Sequence, residues 1–393
     1  MIMKDRKIFC LNNIAKVGTD RFRPGYELVD RIDDAAGVLV RSADMKEIEF
    51  PAGLRAIARA GAGVNNIPLD RCAEAGIVVF NTPGANANSV KELVICGLLL
   101  AARDVTGGIA WAREHRTDPD IARTTEKAKK AFAGHELYGK TLGIIGLGAI
   151  GALVANAAIS LGMKVYGYDP YITVESAWHL SPSIHHAEKI NELYAVSDFV
   201  TIHVPATAST AGMIGADAIA SMKDGAVLLN FARDVLCDEQ AVAAALESGK
   251  LSRYVTDFPN PVSASMDKAI VVPHLGASTE EAEDNCAIMA VDELQDYLDN
   301  GNIRHSVNYP NLSAGICDTA ARVAILHRNI PNMLSQITSF FGEQGLNIAN
   351  LANKSRGEYA YTLLDLNEKI PKDTVDKLKA IDGVLRVRRV KED

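Results

Sequence analysis

Several polar residues stand at the ends of apolar runs, and two of them, an arginine and a histidine, have the types that hold a carboxylate and accept a proton. Arg233 closes Asn230-Phe231-Ala232-Arg233, Asp257 follows Tyr254-Val255-Thr256, and His274 lies in Pro273-His274-Leu275-Gly276. A guanidinium binds a carboxylate through two parallel hydrogen bonds and polarises the carbon beside it. A neutral imidazole accepts a hydroxyl proton near neutral pH. Singly, each has a plainer explanation: an ion-paired arginine or a histidine at a helix end. Placement at strand ends of one parallel sheet, where such sheets bind ligands, favours a shared chemical role for Arg233 and His274, and spacing alone does not decide between the two readings. His203, before Val204 and Pro205, closes a further apolar run.

Oxidation requires an electron acceptor, and the stretch 142–170 supplies a place for one. The apolar run Leu142–Ile145 leads into Gly146-Leu147-Gly148-Ala149-Ile150-Gly151, then a helix of small residues ending at Gly162, then Val165–Tyr168 and Asp169. Glycines between a strand and a helix, with an acid 18 residues beyond Gly151, match a dinucleotide-binding βαβ unit. Gly146 permits the tight turn, Gly148 lets a pyrophosphate approach the backbone, and Gly151 lets the helix pack on the strand. The helix N-terminus offers free N–H groups to the phosphates. Asp169 would accept from ribose hydroxyls and repel a 2′-phosphate, which favours NAD over NADP.

The elements that position these residues alternate along the chain. Strands are expected at 8–11, 37–40 and 77–80, with an apolar run at 54–58 leading into Arg59-Ala60-Gly61-Ala62-Gly63-Val64, and a helix from Asn86 through Leu100 with Ser89 and Glu92 as a capping box. Residues 103–135 read as a solvated helix and loop. Strands at 199–204, 226–230 and 270–272 and helices at 186–195, 212–222 and 238–249 complete a doubly wound sheet. Residues 279–300 form an acidic helix, and Asn308-Tyr309-Pro310-Asn311 reads as a linker. The tail has another rhythm: strands at 321–327, 360–365 and 385–390 and helices at 333–345 and 371–381, a ferredoxin-like α+β module.

The 393 residues, 48% hydrophobic and 23% charged, suffice for two or three domains with ample core. A net charge of −8 argues against a nucleic-acid partner. The six cysteines include no CxxC pair and read as reduced thiols of a cytoplasmic protein. The N-terminus shows no leader, and 93–102 is too short to span a bilayer, so no membrane association is expected. The nine histidines form no metal-ligand set, and the adjacent His185 and His186 read as surface residues.

These motifs, with Asn86-Ala87-Asn88-Ser89-Val90, Gly139–Gly146 and His203-Val204-Pro205, resemble the D-2-hydroxyacid dehydrogenases over nearly the whole chain, most closely the phosphoglycerate type with a C-terminal ACT domain. The resemblance implies a flavodoxin-like substrate domain at 1–97 plus 281–310, a Rossmann NAD domain at 98–280 and an ACT domain at 320–393. It implies NAD-dependent oxidation of 3-phospho-D-glycerate to 3-phosphooxypyruvate, the entry to serine synthesis. Other outcomes on this scaffold are a 2-hydroxyglutarate or glyoxylate type dehydrogenase, or a non-catalytic NAD-binding regulator. Arg233 and His274 would be catalytic. The cofactor would meet Gly146, Gly148, Ala149, Ile150, Gly151, Asp169, His203, Val204, Pro205, Thr210, Ala232, Asp257 and Gly276. The substrate would meet Arg41, Arg59, Ala62, Gly63, Val64, Asn86 and Ser89. L-serine would act as an allosteric effector at His327, Asn329 and Asn347 of paired subunits in a homodimer or homotetramer.

The chain departs from the family pattern at three places. Asn260 stands where a glutamate usually pairs with the histidine, Asp234 follows Arg233 where glycine is usual, and Asn332 replaces a common glycine. His274 is therefore expected to work without that glutamate, with Asp234 or a substrate phosphate nearby, and Asn260→Glu to move the alkaline limb of oxidation upward.

Overall fold

Short apolar runs followed by a turn and a helix return each strand in the same direction, and so build parallel sheets. The computed structural model describes residues 6–371 and 373–392 and contains two parallel sheets and one antiparallel sheet. The chain divides into two compact units, Met1–Ala85 with Glu283–Asp393, and Asn86–Ala282.

In the first unit, β1 (Lys7–Cys10), β2 (Glu27–Val29), β3 (Gly37–Val40), β4 (Ala56–Arg59) and β5 (Val78–Phe80) pair in parallel in the order β2-β1-β3-β4-β5. That is the flavodoxin-like order. From Glu283 onward, helix Glu280–Asn300 packs Ala290, Leu294 and Tyr297 against Ile8, Leu39 and Phe80. The stretch expected as a linker is core instead. Asn308 accepts from Val79 N at 2.9 Å and donates to Ile77 O at 2.8 Å, and the fully buried Tyr309 donates to Ala73 O. β5 is the last strand of its sheet, and the polar side chain of Asn308 supplies the pairing its backbone would otherwise lack.

In the second unit, β6 (Thr141–Ile145), β7 (Lys164–Tyr168), β8 (His185–His186), β9 (Phe199–Ile202), β10 (Ala226–Asn230), β11 (Leu251–Thr256) and β12 (Ala269–Val271) form a parallel sheet ordered β12-β11-β10-β9-β6-β7-β8. The order reverses between β6 and β9, the switch point at which doubly wound sheets bind dinucleotides. Helix Ala87–Ala102 packs Val90, Val94 and Leu98 with Leu229, Phe231 and Val255, so contacts divide the chain after Ala85 rather than after 97. Ser89 lies inside this helix and Asn86 is its N-cap, without a side-chain cap bond; the capping box does not form. The helices expected at 186–195 and 212–222 shorten to Ile190–Val196 and Ala216–Ala220. Residues 103–135 hold two exposed helices, Val105–Glu114 and Ile121–Ala128.

The tail belongs to the first unit. β13 (Ala321–Arg328), β14 (Ile348–Arg356), β15 (Tyr359–Leu366) and β16 (Val384–Glu392) form an antiparallel sheet ordered β14-β15-β13-β16. With helices Met333–Glu343 and Thr374–Lys379 this is the β-α-β-β-α-β arrangement of ferredoxin-like modules. Strand period splits β13: Val323 and Ile325 join the helices, while Ala324 and Leu326 join the core of the first sheet. Arginines reinforce that second face. Arg322 is 0% exposed, forks onto Asp365 at 2.6 and 2.9 Å and donates to the carbonyls of Asn300 and Gly315; Arg386 donates to Ala75 O and Leu54 O. The tail, expected as a separate domain, thus shares a core with the N-terminal sheet. β14 lies in a segment for which no strand was expected.

Among the described residues, no single helix is long and apolar enough to cross a membrane, and no group of three His, Cys, Asp or Glu could hold a metal.

Candidate active site

Within the second unit, the turn after β6 opens at the switch point. Gly146 has φ +91°, and a Cβ there would lie 2.6 Å from His203 O. A Cβ on Gly151 would lie 1.9 Å from Gly146 O. Gly148, by contrast, has φ −70° and nothing within 4 Å of where its Cβ would stand. It is the N-cap of helix Ala149–Ser160 and makes no side-chain cap bond. Two of the glycines are therefore demanded by packing, and the third leaves open space over free helix N–H groups. That is what a pyrophosphate needs. Asp169 is pinned at the end of β7, accepting from Leu147 N and from Tyr171 N, each at 2.9 Å. The residues present fit a dinucleotide.

His203 follows β9. Its ring is buried, Nε2 lies 3.0 Å from Thr201 Oγ1, and burial pushes its pKa down to about 3, so it is neutral. Thr210 Oγ1 donates to Pro205 O at 2.7 Å and accepts from Thr207 N, which shapes the Val204-Pro205 turn.

Arg233 follows β10. Asn230 Nδ2 holds its carbonyl at 2.8 Å, Asn230 Oδ1 accepts from Ala232 N, and Arg233 Nη1 donates to Ala232 O. Asp257 follows β11. It is 1% exposed, its Oδ2 accepts from Gly276 N at 3.2 Å, and its Oδ1 is buried without a hydrogen-bond partner. Burial raises the Asp257 pKa, and the charges of His274 and Arg233 with the Gly276 N–H pull it back. His274 follows β12, its ring 4.8 Å from that of Phe258. Arg233, Asp257 and His274 thus share one electrostatic neighbourhood at adjacent strand ends.

Asn260 is engaged elsewhere. Its Oδ1 accepts from Val262 N and Ser263 N, and its Nδ2 donates to Glu239 Oε1 at 2.6 Å. With Asp234, Cys237 and Glu239 it lines an open depression of about 400 Å³. Asp234 caps its own turn by accepting from Val235 N. The carboxylate that feels the charge of His274 is Asp257, a residue the sequence reading assigned only to the cofactor. Ser89 is buried with its Oγ unpartnered, and Asn86 begins the same helix.

Within the first unit, Arg41 follows β3 and Arg59 ends β4. Arg59 Nε donates to Arg41 O at 3.0 Å, and Arg41 Nη2 meets Glu283 Oε1 at 2.6 Å. Sequence reading missed Glu283, because an acid in the first turn of a helix looks like ordinary dipole compensation. The Ala62-Gly63-Val64 loop is tied down by Asn81 Nδ2 on Ala62 O and by Ile67 N on Val64 O.

In the tail, His327 differs from expectation. It is 2% exposed, with Nδ1 on Arg328 O and Nε2 on Thr362 Oγ1, each at 2.8 Å, so both ring nitrogens are committed within the sheet. Asn329 and Asn347 are exposed, Asn329 donating to Gly357 O.

Comparison with known proteins agrees with this geometry. Residues 95–276 match the NAD-binding domain of the D-isomer specific 2-hydroxyacid dehydrogenases. A D-3-phosphoglycerate dehydrogenase of Haemophilus influenzae is 35% identical over 380 residues, 93% of this chain and 88% of that protein. One from Methanocaldococcus jannaschii is 37% identical over 321 residues, 79% of this chain; the match spans 59% of that longer protein. Among solved structures, NAD+-bound 3-phosphoglycerate dehydrogenase from Entamoeba histolytica aligns with TM-score 0.61 and 30% identity over 78% of this chain and 99% of its own. With an NAD-binding turn at its switch point and relatives matched over most of its length, the chain belongs to the D-isomer specific 2-hydroxyacid dehydrogenase family.

Proposed function

We propose that the chain oxidises 3-phospho-D-glycerate to 3-phosphooxypyruvate with NAD, the first step of the phosphorylated route to L-serine. The observation that carries the reading is the grouping of Arg233, Asp257 and His274 at the ends of β10, β11 and β12 beside an open dinucleotide turn. The relatives named above as phosphoglycerate dehydrogenases support the choice of substrate.

The cofactor held at the glycine turn would be NAD, which would supply the hydride acceptor for C2 of the substrate. Arg233 holds the carboxylate through its fork and polarises the carbon beside it. His274 takes the C2 hydroxyl proton. Asp257 accepts hydrogen bonds through its free Oδ1 and offsets charge developing on His274. Gly146 to Gly151, Asp169, the His203–Pro205 turn, Thr210, Ala232 and Gly276 form the cofactor's seat. Arg41, Arg59, the Ala62–Val64 backbone, Asn86 and Ser89 bind the rest of the substrate, the two arginines taking the phosphoryl group.

The tail is an ACT module that binds L-serine at Asn329 and Asn347, with His327 entering only if its two ring contacts open. The chain works as a homodimer or homotetramer in the cytoplasm; among the described residues the outer edge of β14 has no strand partner in the sheet and is open to a second copy. NADH absorbance measured side by side with 3-phosphoglycerate, 2-hydroxyglutarate and D-glycerate tests the activity. A higher kcat/KM for either unphosphorylated acid refutes the substrate. Unchanged activity and no binding heat at millimolar serine removes the effector.

A further inference from the structure

Arg41 and Arg59 lie at the ends of neighbouring strands, β3 and β4, where open parallel sheets present ligand-binding groups. Arg59 is anchored to backbone through its Nε. The guanidinium of Arg41 has a carboxylate on it: Glu283 Oε1 lies 2.6 Å from Nη2. Glu283 is in the first turn of helix Glu280–Asn300. Cys286, one turn on and 4% exposed, lies in the field of Arg41, Arg59 and Glu283 together, so the three charges face one place.

A carboxylate and a phosphoryl group make the same demand on a guanidinium, two oxygens accepting from its fork. Arg41 and Glu283 are 38% and 42% exposed, and an ion pair so exposed is weak enough to be exchanged. We propose that Glu283 is a specificity-determining residue, which occupies Arg41 in the free protein and gives it up to the phosphoryl group of the substrate. The proposal rests on the substrate reading above. An arriving phosphoryl group displaces the carboxylate and then sits beside its charge. Glu283 therefore sets how strongly a terminal phosphoryl group is favoured over a neutral hydroxymethyl group.

The test compares wild type with Glu283→Gln in the full chain. The KM for 3-phosphoglycerate is expected to fall roughly 2- to 5-fold in the variant. The KM for D-glycerate, which lacks the phosphoryl group, changes by less than about 2-fold by the same reasoning. The difference shrinks as salt is raised. In an Arg41→Ala background, the effect of Glu283→Gln on the KM for 3-phosphoglycerate is smaller than in the wild-type background, the coupling expected of a shared partner. The same KM ratio for the two acids in both proteins overturns the proposal. If the wild type oxidises no phosphoglycerate, the substrate reading fails by itself. Calorimetric titration with inorganic phosphate then still decides: tighter binding by Glu283→Gln supports the competition, and equal affinity overturns it.

Discussion

Substituting Gly148 separates the cofactor's demands from the fold's. Its φ of −70° is open to any residue, and a Cβ there meets no atom within 4 Å. Gly148→Ala reduces unfolded-chain entropy, worth about 0.4–1 kcal/mol. Alanine is also a poorer N-cap than glycine, a cost of similar size. The two nearly cancel, so the melting temperature should move by no more than about 3 °C. The methyl group, however, stands where a pyrophosphate must approach the helix N–H groups. Losing one charge-assisted hydrogen bond there costs roughly 1.5–3 kcal/mol, and NADH affinity should fall about 10- to 100-fold. Gly151→Ala is the contrast: its Cβ would lie 1.9 Å from Gly146 O, so backbone must move, at a cost of roughly 1–3 kcal/mol or more in stability. NADH fluorescence titration with thermal unfolding reads both quantities. Unchanged NADH affinity in Gly148→Ala, with Tm intact, would refute the placement of the pyrophosphate.

Other perturbations act on single named contacts. Arg233→Lys keeps charge but loses the planar fork, so kcat/KM should fall by about 10- to 100-fold while NADH affinity holds; a loss confined to NADH affinity contradicts the carboxylate role. Asn260→Glu sets a second carboxylate against Glu239, so it should lower the melting temperature, and Glu239→Gln in the same chain should restore it; a restored alkaline limb in the single variant would show that residue 260 reaches His274 after all. Glu293 is buried on His305 Nδ1, and burial pushes its pKa up to about 9 and that of His305 down, so the pair is a neutral hydrogen bond near neutrality. A raised folded pKa gives stability that is complete below the ordinary 4.5 and lost as pH rises through about 9. The lowered His305 acts in the opposite sense, its contribution being lost as pH falls below its ordinary 6.5. Glu293→Gln should therefore flatten the fall in Tm between about pH 7 and 9; parallel curves for the two proteins refute this. Arg322→Ala leaves Asp365 and several carbonyls buried without their donor and should cost about 3–5 kcal/mol in urea unfolding; a cost under about 1 kcal/mol would show that the tail sheet is loosely held.

What local pattern dictates was legible in the chain. Short apolar runs located β3 to β7 and β9 to β12 within a few residues, because a strand buried on both faces needs uninterrupted Val, Ile and Leu, whereas the exposed two-residue β8, His185–His186, carries no such run and was not expected. The glycine spacing at 146, 148 and 151 with Asp169 announced the dinucleotide turn, because its geometry is local to one βαβ unit. The Ser89 capping box failed because Asn86 begins the helix one turn earlier, and tertiary packing of Val90 and Val94 chose that start.

Long-range pairing decided the rest. Asn308 and Tyr309 read as a linker, since polar and proline residues usually are, yet they complete β5 from more than two hundred residues away. The tail's second sheet face looked no different from a solvated one until Arg322 found the carbonyl at the end of helix Glu280–Asn300 and Arg386 that of Ala75. The carboxylate beside His274 and the one on Arg41 come from positions whose roles depend on partners distant along the chain, Asp257 and Glu283. The sequence by itself determined which segments form the strands and where a glycine turn opens over a helix N-terminus, because those follow from neighbours along the chain. Which charge faces which was left to the tertiary structure, because Coulomb interactions depend on distance in space and not on separation in sequence.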